Sequence, residues 1–197
     1  MNDQLHTAAE RGDTTAVLNL LAAGAHVDAQ DERGRTAVLA ATHGHHADTV
    51  RALIEAGADI NLRDNRNDNV LLYSGAEGLL DIVRLAVAAG ADTRLTNRYG
   101  GIAIIPAAER GHVEVVRELL TTSDIDVNHV NKLGWTALLE AIVLSNGGPR
   151  HQQIVELLIA HGADVNLPDN EGVTPLQHAR QRGFAEIERM LAEAGAR

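Results

Sequence analysis

Cysteine is missing from the 197 residues, which excludes disulfides and cysteine-based zinc sites and leaves a reducing compartment open. Aromatic residues are nearly missing too: one Trp, two Tyr and one Phe, 2% of a chain that is 45% hydrophobic. The core must therefore come from Leu, Ile, Val and Ala. That composition suits thin, closely packed helices better than an enzyme with a bulky pocket. No apolar run approaches the roughly 18 residues that a membrane helix needs. Positive charge is scarce, with 17 Lys and Arg against 27 Asp and Glu. The resulting formal charge of −10 argues against affinity for phosphate backbones, which comes from clustered cations. The three serines, Ser74, Ser123 and Ser145, sit in no nucleophile elbow, and no glycine-rich phosphate loop follows a strand. Met1-Asn2-Asp3-Gln4 leads straight into patterned sequence, so no signal peptide is expected.

What the chain does have is a period. Gly24-Ala25, Gly57-Ala58-Asp59 and Gly90-Ala91-Asp92 stand 33 residues apart. A degenerate copy, Ser123-Asp124-Ile125-Asp126, follows after another 33. Gly162-Ala163-Asp164 comes 39 later and Gly195-Ala196 a further 33. Such self-similarity marks a stacked repeat, in which each unit contacts only its neighbours. Six units are expected within one domain over 1–197, at about 1–30, 31–63, 64–96, 97–130, 131–168 and 169–197.

The sixth unit shows the local logic, in Asp169-Asn170-Glu171-Gly172-Val173-Thr174-Pro175-Leu176. Asp and Gly shape a tight turn. Thr174 can cap the helix that follows, and Pro175 fits its first position, where no amide donor is needed. Thr36-Ala37 and Thr136-Ala137 repeat the arrangement without proline. In Val113-Glu114-Val115-Val116-Arg117-Glu118-Leu119-Leu120, apolar residues recur at three- and four-residue spacing, so a second helix buries one face. Gly24, Gly57, Gly90 and Gly162 sit where a left-handed residue would end that helix. Each unit reads turn, helix, turn, helix.

Three segments carry a family resemblance: Gly-x-Thr-Pro-Leu-x-x-Ala in the sixth unit, Ala-Ala-Glu-Arg-Gly-His (107–112) in the fourth, and Gly-Ala-Asp-Val-Asn (162–166) in the fifth. The chain resembles the ankyrin repeat family over essentially its whole length. Arg98-Tyr99-Gly100-Gly101 and the segment from Gly134 to Leu144 look like a group of stand-alone bacterial ankyrin proteins of unassigned activity. The resemblance implies an all-α solenoid of paired antiparallel helices with β-hairpin-like finger loops. Fingertips and inner helices would line a concave face that contacts a protein partner.

Departures from the pattern matter as well. Asn2, Asp3 and Gln4 at one end, and Arg180, Gln181, Arg182, Glu186, Glu188 and Arg189 at the other, read as polar caps of a complete array. The fourth unit places Ile102 at the cap position and Pro106 about four residues into the helix, either a tolerated defect or a reshaped mid-groove. Five extra residues around Ser145-Asn146-Gly147-Gly148-Pro149 read as a loop between the helices of the fifth unit.

Carried onto this chain, the family's partner-facing positions include Arg33 and Arg35, Arg66 and Asp68, Arg98 and Tyr99, Lys132, Leu133 and Trp135, and Glu171. Hot spots favour Trp, Tyr and Arg, so Arg98, Tyr99 and Trp135 are the central candidates; Trp135 can equally pack across its own finger. Arg33, Arg35, Arg66, Arg98 and Lys132 would form a basic stripe that steers an acidic partner, unless Glu32, Asp68 and Glu171 neutralise it. Tyr73 is assigned to packing and Phe184 to sealing the last unit. His43-Gly44-His45-His46 is the one metal-like cluster, and a stable site wants three or four ligands in fixed geometry. No catalytic residue, cofactor or metal is expected. The reading is a non-catalytic, monomeric, cytoplasmic adaptor, inhibitor or regulator that binds a protein, not nucleic acid or membrane. The alternatives are a regulator within a nucleic-acid complex and a secreted effector.

Overall fold

The computed structural model describes residues 1–197, and every regular element in it is a helix. The contacts divide the chain into two compact units, Met1–Arg98 and Tyr99–Arg197. The first holds α1 (Asn2–Arg11), α2 (Thr14–Ala22), α3 (Ala37–His43), α4 (Ala47–Glu55), α5 (Val70–Glu77) and α6 (Leu80–Ala88). The second holds α7 (Ile104–Glu109), α8 (Val113–Thr122), α9 (Ala137–Val143), α10 (Pro149–Ala160), α11 (Pro175–Arg182) and α12 (Ala185–Glu193). Within each unit the helices pair in sequence. The first helices of each pair also stack on one another (α1 on α3 on α5; α7 on α9 on α11), as do the second helices.

Short side chains allow this stacking. Ala37 through Ala41 on α3 and Ala137 through Leu139 on α9 are almost fully buried, because a first helix is covered on several sides at once. Leu39, Leu53, Leu71 and Ile82 fill the first unit; Leu119, Leu138, Ile142 and Ile154 fill the second. Each such side chain contributes about 1.5–3 kcal/mol by leaving water.

Capping sets the helix starts. Thr36, Thr136 and Thr174 accept the N–H of Leu39, Leu139 and Gln177, and Thr174 with Gln177 completes a reciprocal capping box. Gly24 and Gly57 end α2 and α4 at φ of 93° and 91°, a conformation that a Cβ disfavours. Ser123, in the degenerate copy, cannot take that geometry cheaply. It is extended instead, and its hydroxyl donates to the Leu119 carbonyl at 2.6 Å.

The period also has a hydrogen-bond register. Asp28 and Asn61 in the first unit, and Asn128 and Asn166 in the second, each accept a backbone N–H one repeat onward: from Asp59, Asp92, Asp164 and Arg197. These bonds explain why polar turn residues recur with the glycine.

Both departures resolve locally. α7 starts at Ile104, so Pro106 falls in its first turn, where its missing N–H has no intrahelical acceptor to lose. The extra residues of the fifth repeat are partly helical: Gly148 is the N-cap, Pro149 is the first helical residue, and α10 runs for 12 residues. Phe184 packs against this insertion, its ring covering Gly147 so closely that a Cβ there would lie 2.6 Å from it.

Candidate functional site

Four of the fingers that precede first helices are turns closed by the carboxylate or amide that opens them. Asp31 accepts the N–H of Arg33 and Arg35 at 2.9 and 2.8 Å, and Asp64 those of Arg66 and Asp68 at 2.8 and 2.9 Å. In the second unit Asn131 accepts the N–H of Leu133 and Trp135 at 2.9 and 3.1 Å, and Asp169 those of Glu171 and Val173 at 2.9 Å. Neighbouring fingers are also joined: the Asn65 N–H donates to the Arg33 carbonyl, and the Lys132 N–H to the Tyr99 carbonyl. Within each unit, the two fingers joined in this way hold their fingertips at a fixed spacing.

In the first unit Arg33, Arg66 and Arg98 are exposed and Asp68 is half-buried. Arg35 is placed differently. It is 7% exposed, and its guanidinium donates to Glu10 Oε1 and Asp31 Oδ2, both at 2.9 Å. The Arg35 hydrogen bond holds Glu10 below the usual carboxylate range, with burial opposing it. Burial pushes Asp31 up, but the Arg35 N–H and guanidinium outweigh it and leave the carboxyl low. Behind these fingers His43 stacks on Tyr73 with ring centroids 3.8 Å apart. Burial, then the Arg35 charge, lowers the His43 pKa. His45 is exposed at φ 61°, in the left-handed turn that glycine occupies in other repeats, and the His46 ring covers Gly12 and Gly44.

The second unit brings apolar fingertips together. Tyr99 is 53% exposed and Leu133 is 51% exposed on fingers tied by the Lys132–Tyr99 bond, with Val130 exposed at the base. Lys132 and Glu171 are exposed, and Trp135 is half-buried in its own finger. On the helix that follows this finger is a buried acid that the sequence reading did not single out. Glu140 on α9 is 5% exposed, and its Oε1 accepts from Asn131 Nδ2 at 2.8 Å. Burial, then the nearby Glu109 carboxylate, pushes Glu140 up to about 7 against the Asn131 hydrogen bond. One acidic residue in the apolar run Leu138-Leu139-Glu140-Ala141-Ile142 was the available signal. In the sixth repeat the same nine-residue spacing pairs Asp169 with His178 at 2.7 Å, the acid now on the finger. Burial alone would raise Asp169, but the Val173 N–H and His178 outweigh it and hold the carboxyl low.

A family profile described as ankyrin repeats (3 copies) matches residues 5–97, 71–169 and 104–197, between them almost the whole chain. The chain belongs to the ankyrin repeat family. An ankyrin repeat domain from Acinetobacter baumannii AYE is 53% identical, with a TM-score of 0.95 over 98% of both chains. The ankyrin repeat protein EF0377 is 39% identical, with a TM-score of 0.94 over 98% of both. YahD of Escherichia coli (strain K12) is 55% identical over 82 residues, which are 42% of this chain and 41% of YahD, so the match spans less than half of that relative. Ankyrin repeats in general mediate protein–protein interaction. No helix here is long and apolar enough to cross a membrane.

Proposed function

We propose that this ankyrin chain is a non-catalytic binding module, an adaptor, inhibitor or regulator, that seats a protein partner on its fingertips and first helices. In the second unit Tyr99 and Leu133 are the central anchors, Trp135 supports them, and Lys132 and Glu171 flank them. In the first unit, taken by itself, Arg33, Arg66, Arg98 and Asp68 offer charged contacts, while Arg35 holds its finger in place from behind. The observation that carries the reading is the pair Tyr99 and Leu133. Two large apolar side chains stand more than half exposed on fingers whose spacing a backbone hydrogen bond sets. Exposed apolar surface of this kind marks interaction sites, and a well-packed anchor is worth roughly 2 kcal/mol, or about 30-fold in affinity.

The test is affinity capture from lysate of the source organism, with the native protein and a Tyr99→Ala, Leu133→Ala variant whose helicity has been checked. A partner held by the native form and lost by the folded variant supports the assignment. A partner held equally by both overturns it.

A further inference from the structure

Fingers opened by Asp31, Asp64 and Asp169 close on a carboxylate. The fourth and fifth open on amides, Asn97 and Asn131, and only the fifth has an acid on the helix beneath, nine residues on, at Glu140. The orientation of the Asn131 amide is determined. Its oxygen is committed to the N–H groups of Leu133 and Trp135, so its nitrogen must point at Glu140, which accepts it at 2.8 Å. Asn131 and Glu140 are 7% and 5% exposed, so neither bond is readily replaced by water. The loop closes further through Asn131 N–H to the Trp135 carbonyl and Gly134 N–H to the Asn131 carbonyl, both 3.0 Å. One side chain on α9 thus supports the finger that carries Leu133 and Trp135.

We propose that Glu140 is a proton-operated latch, which holds the fifth finger in its binding geometry when neutral and releases it when ionised. This deepens the protein-binding reading above and rests on it only in taking that finger as a contact.

The physical argument is the cost of charge. A neutral Glu140 accepts from Asn131 and places no charge out of water, although that hydrogen bond by itself favours the ionised form. An ionised one is a carboxylate out of water beside Glu109, a like charge with no buried cation to offset it. Rotating outward relieves that cost but leaves the Asn131 amide nitrogen without its acceptor, which loosens the Leu133 and Trp135 N–H bonds. The charged groups on the elements packed against α9 do not cancel the effect. From α7 comes Glu109, of the same sign. On α10, His151 Nε2 is engaged with the Glu109 carbonyl at 2.9 Å, and Arg150 is exposed. On α11, His178 is bonded to Asp169, and Lys132 of the fifth finger is exposed. Glu140 is the only ionisable side chain on α9 itself. Its proton leaves near pH 7, so small pH changes around neutrality would set the latch.

The test needs no partner, because Trp135 is the only tryptophan. Its fluorescence is excited selectively on the free protein between pH 5.5 and 8.5. The expected result is an emission shift with a midpoint near 7 in the native chain. The shift should be absent in Glu140→Gln and move to lower pH in Glu109→Gln. A flat native titration overturns the proposal. So does a shift that survives in Glu140→Gln, which would belong to another group. Should Glu140→Gln fail to fold, the carboxyl carbon of Glu140, followed by NMR in the native chain, replaces it: a midpoint below 5.5 overturns the proposal, and one near 7 that coincides with the tryptophan shift supports it. A failed titration leaves the binding face standing, and a failed capture leaves the titration readable.

Discussion

Replacing Arg35 with Met keeps the aliphatic stem and deletes the guanidinium that joins the first repeat to the second finger. Three hydrogen bonds between charged groups are lost: to Glu10 Oε1 and Asp31 Oδ2, each 2.9 Å, and a longer one to Glu10 Oε2 at 3.4 Å. Breaking a fully buried ion pair costs roughly 3–5 kcal/mol, but this network is only half of that kind. The Glu10 side chain is 47% exposed and rehydrates once freed, so its share falls to about 0.5–1 kcal/mol. Asp31 is left more buried but keeps two backbone N–H donors, which limits its share to roughly 1–1.5 kcal/mol. The sum, about 2 kcal/mol, is expected as a lower urea midpoint for the transition of the first unit, followed by circular dichroism. Glu10→Gln alone should cost less than about 1 kcal/mol, and the double variant should show a coupling of about 0.5–1 kcal/mol. Both carboxyls titrate lower in the folded chain than in the unfolded one. Their contribution is therefore complete above the unfolded carboxylate range and lost as pH falls through the depressed values. A variant within about 0.5 kcal/mol of native, or a coupling near zero, would refute the reasoning.

Glu140 gives the opposite pH slope. Its folded pKa lies above the unfolded value of 4.5, so its neutral form favours the fold at low pH, and stability declines between 4.5 and about 7. The decline is about 3 kcal/mol at most, is flat above that window, and should vanish in Glu140→Gln; thermal unfolding across pH reads it, and an identical profile in the variant would refute it. Gly134 holds φ at 80°, and a Cβ there would lie 2.4 Å from the Asn170 side chain. Gly134→Ala should therefore cost more than the roughly 1 kcal/mol expected of a left-handed backbone alone, as a shift of the unfolding midpoint. A neutral result would mean that the fifth and sixth fingers are not held at this spacing.

The 33-residue period, the Thr caps and the left-handed glycines made the helix pairs legible, because each is a local feature with one cheap conformation. The fourth repeat was legible only as a disturbance. Pro106 read as about four residues into a helix, whereas α7 begins late enough for the proline to sit in its first turn. The insertion at 145–149 looked like loop, yet Pro149 is a good first helical residue and α10 takes it up. The site was less legible than the fold, because exposure is a property of side-chain direction across repeats. Arg33 and Arg35 stand two residues apart with the same chemistry. One reaches solvent, while the other meets Glu10, 25 residues earlier, a partner that no local pattern encodes. Asn131 and Glu140 have the same character: each looks ordinary alone, and only their contact reveals a buried acid beneath an exposed finger.

The most direct test of the finger-face account is hydrogen exchange on the protein alone and bound to its captured partner. The account predicts slowed exchange in the fingers at 97–101 and 131–135, with the second helices α8, α10 and α12 unchanged. Slowed exchange confined to those second helices, with the fingers unaffected, would contradict it.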